Sequence, residues 1–114
     1  MNRCRVCGNP GEKHHIIHKD EGGLEYPLNL IYLCEVHHRG PHGPHRDEKV
    51  DRAYKLSLQT SLKNRLAKSY YQEDELRSLL KLSRSLARTL VRTLKIHKEG
   101  YRSDEIIDFL MGGN

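Results

Sequence analysis

Two short ligand pairs open the case for chemistry: Cys4-x-x-Cys7 and Cys34-x-x-His37 together offer three thiolates and one imidazole, a donor set that tetrahedral structural zinc accepts. Two intervening residues let a tight turn aim both donors of a pair at one ion, and Gly8 supplies a flexible position after Cys7. Three cysteines cannot close a disulfide framework, and in a reducing compartment they remain thiols available to metal. Buried free thiols, or a redox Cys-x-x-Cys, would leave His37 without a role. An ion with four protein ligands has no open coordination position, so it is expected to hold the fold rather than to hydrolyse anything.

Between the pairs lie Lys13-His14-His15-Ile16-Ile17-His18, then Gly22-Gly23, then Asn29-Leu30-Ile31-Tyr32-Leu33, which read as two short strands joined by a loop. Cys34-Glu35-Val36-His37-His38 and a run rich in Gly, Pro and His follow. This succession resembles the HNH endonuclease motif within a cysteine-bearing ββα-metal finger, and HHRGPHGPH is similar to the corresponding run of small phage-associated members. The resemblance covers residues 4 to 45.

The resemblance implies a division of labour. His14 would bind the catalytic metal and His15 would act as general base, two jobs that adjacent residues can hold because consecutive side chains on a strand point to opposite faces. Asn29 would brace the loop and orient the base, and His38 would be the second metal ligand. A third ligand is expected from His42 or His45, with water or phosphate as the remaining option, because Gly40-Pro41 and Gly43-Pro44 interrupt the helix that would set an i, i+4 ligand. The expected cofactors are therefore a structural zinc and one catalytic divalent cation, Mg²⁺, Mn²⁺, Zn²⁺ or Ni²⁺. Arg39, Arg46 and Lys19 are candidates for contact with the phosphate, whereas His18 and His97 read as ordinary solvent-facing residues.

The elements that must position these groups follow from periodicity. Val50, Ala53, Tyr54, Leu58, Leu62 and Leu66 recur at helical spacing between Arg46 and Lys68, where there is no Gly or Pro. Glu73-Asp74-Glu75 suits the N-terminus of a second helix, expected to run to about Lys98 on leucines from Leu76 to Leu94, with Gly100 as its stop. Ser103 would cap a short last helix through Leu110. Along the second helix Arg77, Lys81, Arg84, Arg88, Arg92 and Lys95 would share one face as a phosphate-contacting ridge or as a solvated face.

With 114 residues, 36% hydrophobic content, one Phe and no Trp, the chain can build only a modest core, so a metal or a partner chain should help to stabilise it. A formal net charge of +5 favours polyanionic partners. The start MNRCRVCGNPG has no apolar leader-like run and no segment is long enough to span a membrane, which points to a cytoplasmic protein.

The expected fold is α+β: a zinc-tied ββα-metal finger over residues 1–46, followed by a basic leucine-rich region, 47–114, with two longer helices and a short last one, packed as one unit. The implied function is metal-dependent hydrolysis of DNA, by nicking or double-strand cutting, with phosphate-backbone contacts and a homodimer through the helices as expected partners. The alternative is a non-catalytic zinc-finger or interaction module of a larger phage or restriction complex.

Overall fold

The computed structural model describes residues 2–113; positions 1 and 114, the outer limits of the two expected modules, lie outside them. Strands β1 (Glu12–His15) and β2 (Leu30–Leu33) pair antiparallel, with Glu12 opposite Leu33 and His15 opposite Leu30. Strand alternation turns His14 inward from β1, and Ile31 and Leu33 inward from β2. Helix α1 (Glu35–Arg39) follows β2 directly, with Cys34 at its N-cap, which completes a ββα unit. The loop between the strands buries Ile16, Ile17 and Tyr26. It is closed tightly at Gly23, where a Cβ would lie 1.8 Å from the Ile17 carbonyl oxygen, so only glycine fits there.

Helix α2 (Glu48–Arg65) falls within the expected span and starts on an Asp47 side chain that accepts a hydrogen bond from the Lys49 backbone N–H. It buries Leu58 and Leu62, and Leu66 is buried at its C-cap, but Ala53 from the expected apolar face is exposed.

The second helix differs from expectation. Instead of one helix to Lys98 there are α3 (Glu73–Leu80) and α4 (Arg84–Thr93), separated by Lys81 in the left-handed region at φ 54°. The reason is geometric: at 100° per residue Leu80 and Leu82 would face opposite sides of a straight helix, yet both are buried here, alongside Leu76, Leu86, Ala87 and Leu90. A left-handed non-glycine residue costs about 1–2 kcal/mol, which burial of one leucine, worth about 1.5–3 kcal/mol, offsets. Ser83 restarts the helix by accepting a hydrogen bond from the Leu86 N–H at 3.0 Å.

Two-residue strands β3 (Tyr70–Tyr71) and β4 (Tyr101–Arg102) pair with each other and were not foreseen. Helix α5 (Ser103–Leu110) ends the fold; Ser103 is its first helical residue, and Arg102, not Ser103, occupies the N-cap without a side-chain cap.

The core is continuous from end to end. Leu33 of β2, Leu62 of α2 and Ile106 and Leu110 of α5 are fully buried in one cluster. The Tyr26 hydroxyl donates to the Leu110 carbonyl at 3.1 Å, tying the interstrand loop to the last helix. The architecture is thus mixed helix and strand with two small sheets, and among the described residues no helix is long and apolar enough to cross a membrane.

Candidate functional site

The first constellation forms where the N-terminal turn meets the start of α1. Gly8, at φ 78°, donates its N–H to the Cys4 carbonyl and closes the turn that carries Cys4 and Cys7. The backbone N–H of Arg5 bonds the Tyr32 carbonyl at 2.9 Å and lays this turn against β2. The donors then converge: Cys7 Sγ lies 3.7 Å from Cys34 Sγ, and His37 Nδ1 lies 3.6 Å from Cys4 Sγ and 3.2 Å from Cys34 Sγ. All four donor atoms are within 4.8 Å of one another, compatible with a structural metal. Burial raises the Cys4 thiol, but hydrogen bonding from the backbone of Cys34, Cys7 and Val6 pulls the other way and brings it to about 6, well below an ordinary thiol.

The second constellation lies in a cleft of about 390 Å³. His14, 2% exposed on β1, places Nδ1 3.1 Å from His38 Nε2 on α1. His45 Nε2 lies 2.9 Å from the same His38 nitrogen. The three can offer one ligand nitrogen each within 4.8 Å.

His45 arrives there because two turns follow α1, one closed by Gly43 N–H to the Gly40 carbonyl at 3.0 Å and the next by Arg46 N–H to the Gly43 carbonyl at 3.1 Å. His42, the other candidate, sits exposed at the tip of the first turn and is not brought into this group. Burial first, then the neighbouring imidazoles of His38, His45 and His18, holds His14 down at about 3, so at neutral pH it keeps a lone pair for a cation.

His38 is held from behind. Its Nδ1 meets the Glu12 carboxylate, which also accepts from Arg39 Nε at 2.9 Å. The hydrogen bond with His38, then that with Arg39, draws the Glu12 carboxyl below its usual range. A carboxylate on the outer nitrogen is the usual means of fixing a ligating imidazole. Sequence reasoning missed Glu12, although its place two residues before His14 on the same strand was a usable signal.

His15 lines the same cleft, and its Nε2 contacts the carboxylate of Glu25 in the interstrand loop. That hydrogen bond, despite some opposing burial, lowers the Glu25 carboxyl. With a proton on Nε2 directed at Glu25, Nδ1 of His15 is left as the accepting nitrogen. Glu25 was not foreseen, and nothing in its spacing announces it.

The Asn29 side chain is spent on the interstrand loop, and among the described residues it makes no hydrogen bond to His15. Fully buried, it accepts from the Ile17 N–H at 2.8 Å and donates to the carbonyls of Leu24 at 2.9 Å and Ile17 at 3.3 Å, so its amide is committed to backbone. Two further expectations need correction. His18 is no solvent-facing bystander: it lines the cleft, with Nε2 3.0 Å from Asp51 Oδ1 on α2. His97 is likewise tethered, to Glu105 at 2.8 Å. Of the phosphate-contact candidates, Lys19 lines the cleft, Arg39 is paired with Glu12, and Arg46 is exposed.

The expected six-residue basic ridge is shortened by the α3–α4 break. Arg84, Arg88 and Arg92, all exposed, remain on one face of α4, whereas Arg77 belongs to α3, Lys81 to the break and Lys95 to the segment after α4. No family model, curated protein or solved structure matches this chain.

Proposed function

We propose that the chain is a metal-dependent DNA endonuclease of the HNH type, hydrolysing phosphodiester bonds in the cleft formed by β1, the interstrand loop and α1. The observation that supports it most is the convergence of the His14, His38 and His45 nitrogens in one cleft with a carboxylate-paired imidazole, His15. A cation cage and a positioned base are the two parts that phosphodiester hydrolysis needs.

The fit to metal is chemical as well as geometric. Zinc with bonds of about 2.3 Å to sulfur and 2.0–2.1 Å to nitrogen makes tetrahedral edges of roughly 3.8 Å between sulfurs and 3.5 Å from sulfur to nitrogen. The distances of 3.7 Å for Cys7–Cys34 and 3.6 Å for Cys4–His37 are close to these and the 3.2 Å of Cys34–His37 is somewhat shorter, and on this donor set we assign a structural zinc to Cys4, Cys7, Cys34 and His37. At the second set, His14, His38 and His45 would hold the catalytic divalent cation. Three neutral imidazoles suit Zn²⁺ or Ni²⁺ better than Mg²⁺ or Mn²⁺, which prefer oxygen ligands.

When bound, such a cation supplies positive charge to the scissile phosphate and to the leaving 3′ oxygen. The protein's own part begins at His15, whose Nδ1 accepts a proton from the attacking water while Glu25 holds the Nε2 proton and faces the imidazolium that forms. Glu12 keeps the His38 ring at its angle, and Asn29 fixes the chain on either side of the loop that carries Glu25. Lys13 and Lys19 on the cleft wall offer positive charge to a phosphate. One such cleft per chain cuts one strand per visit, so nicked circles should precede linear product.

Supercoiled plasmid incubated with the protein and, separately, Mg²⁺, Mn²⁺, Zn²⁺ or Ni²⁺ tests the proposal. Nicked circles that need the cation and disappear with chelator are expected; intact plasmid with all four cations and a folded protein would overturn it.

Two variants probe the parts. Glu25→Gln, which keeps an acceptor for His15 but removes the charge, is expected to slow cleavage about 10-fold, and Glu25→Ala about 100-fold, as loss of a charged hydrogen bond predicts. Cation uptake should be unchanged in both, and equal rates for both variants and the parent would remove Glu25 from the mechanism. On α4, replacing Arg84, Arg88 and Arg92 together by alanine is expected to reduce the slope of log K against log salt by up to about 2.7, roughly 0.9 for each phosphate that the protein no longer neutralises. An unaltered slope would mean that this stripe does not touch DNA.

A further inference from the structure

His14 belongs to two sets of donors. Besides His38 and His45, it can offer a ligand nitrogen within 4.8 Å of ligand atoms of His18 and Asp51. His18 Nε2 and Asp51 Oδ1 are 3.0 Å apart, and the rings of His14 and His18 are 5.4 Å apart, centre to centre. The two nitrogens of His14 also differ in their surroundings. Nδ1 is 3.1 Å from His38 Nε2, whereas Nε2 is buried with no hydrogen-bond partner among the described residues. A buried, unpartnered ring nitrogen is destabilising unless a proton acceptor or a cation meets it.

We propose that His14 Nε2, His18 and Asp51 form a second seat for a divalent cation, used in turn with the seat made by His14, His38 and His45. A neutral imidazole has one free lone pair, so one ion at a time can use His14. With the ion on the first seat, the His14 proton sits on Nε2, where it has no acceptor. With the ion on the second seat, the proton sits on Nδ1 and is donated to His38 Nε2 across the 3.1 Å gap. Both His14 nitrogens are then satisfied, which favours the second seat in the absence of DNA.

Two imidazoles and one carboxylate suit Mn²⁺, Fe²⁺ or Co²⁺ better than an all-imidazole set does. The opposing charge nearby is Lys55, whose Nζ is 2.8 Å from Asp51 Oδ2, but Glu21 also engages it at 2.9 Å. Asp51 Oδ1 points to His18 rather than to the lysine, and Glu21 lies 3.6 Å from His18 Nδ1, while Lys13, Lys19 and Asp20 line the same cleft.

The inference shares the cleft of the proposed nuclease but is read without DNA or cleavage, so either can fail alone. Mn²⁺ uptake by the full chain is measured from loss of the free-ion electron paramagnetic resonance signal, with circular dichroism and zinc content as checks on folding. His38→Ala with His45→Ala, which dismantles the first seat, is expected to leave one Mn²⁺ bound per chain within about tenfold of the parent affinity. Adding Asp51→Asn to that background should weaken uptake at least tenfold.

Because His38 is buried, the same comparison is repeated on His45→Ala alone, a change at an exposed position. No Mn²⁺ uptake by the folded double variant, or no effect of Asp51→Asn in either background, overturns the second seat.

Discussion

Replacing His15 by alanine is expected to lower the cleavage rate by about 10²–10⁴-fold, the range that general-base catalysis supplies, while cation uptake and DNA binding stay as they are. The separation is possible because of where His15 sits. His14, His38 and His45 gather the ligand nitrogens, whereas His15 is engaged at Nε2 by Glu25 and is not a member of either histidine ligand set. A glutamine at position 15 should not rescue the rate, since an amide cannot take the proton from water at neutral pH. Single-turnover cleavage with excess protein reports the chemical step. A rate within a fewfold of the parent would assign the base elsewhere and leave the cleft as a metal site alone.

Loss of the metal at the cysteine knuckle should cost more stability than any single side chain in the core. Cys4→Ser, or exhaustive chelation, is expected to lower stability by several kcal/mol and the Tm by roughly 10–20 °C. Little else fastens residues 2–11 to the finger. Cys4 is the one buried side chain among them; the bonds of Cys4 N–H to Asn9, Gly8 N–H to Cys4 and Gly11 N–H to Asn2 run within the segment itself, and outward it has the Arg5 N–H to the Tyr32 carbonyl and the Arg5 guanidinium over the Tyr54 ring. A metal held by the four donors would join this turn to α1 through Cys34 and His37, so its removal would free the start of the helix that carries His38. Calorimetry with and without chelator measures the shift; an unchanged Tm after verified metal loss would show that the knuckle is not structural.

What the sequence made legible was what short-range spacing encodes. Cys4-x-x-Cys7 and Cys34-x-x-His37 each lie within one turn, so the pattern itself places their donors together. His14 and His15 part company through strand alternation alone. The choice between His42 and His45 stayed open because it depends on how two consecutive turns fold back after α1, which Gly and Pro permit but do not direct.

Glu25 and Asp51 were illegible for a different reason. Each meets its histidine through the tertiary fold, at separations of 10 and 33 residues, and an acidic residue in a loop or on a helix surface carries no local mark of that. The α3–α4 break was hidden because Leu79, Leu82, Leu86 and Leu90 keep helical spacing across it; the signals were Leu80, which falls opposite Leu82 on a straight helix, and Ser83, a good N-cap. Basic residues at helical spacing gave a ridge on paper that the break divided.

The hydrogen bond from Tyr26 to Leu110 and the core around it bear on whether the finger is a portable cassette. Severed after residue 46, the first segment would lose the α5 carbonyl that the Tyr26 hydroxyl bonds and the helical part of the core cluster that Ile16, Ile17 and Leu33 share with Leu62, Ile106 and Leu110. It would also leave His18 without the α2 carboxylate it meets. A graft of the first 46 residues onto another protein would therefore carry every residue that lines the histidine cleft but not the α2 carboxylate or the core packing behind it. The helical tail is thus part of the framework of the histidine cleft rather than an appendage to it.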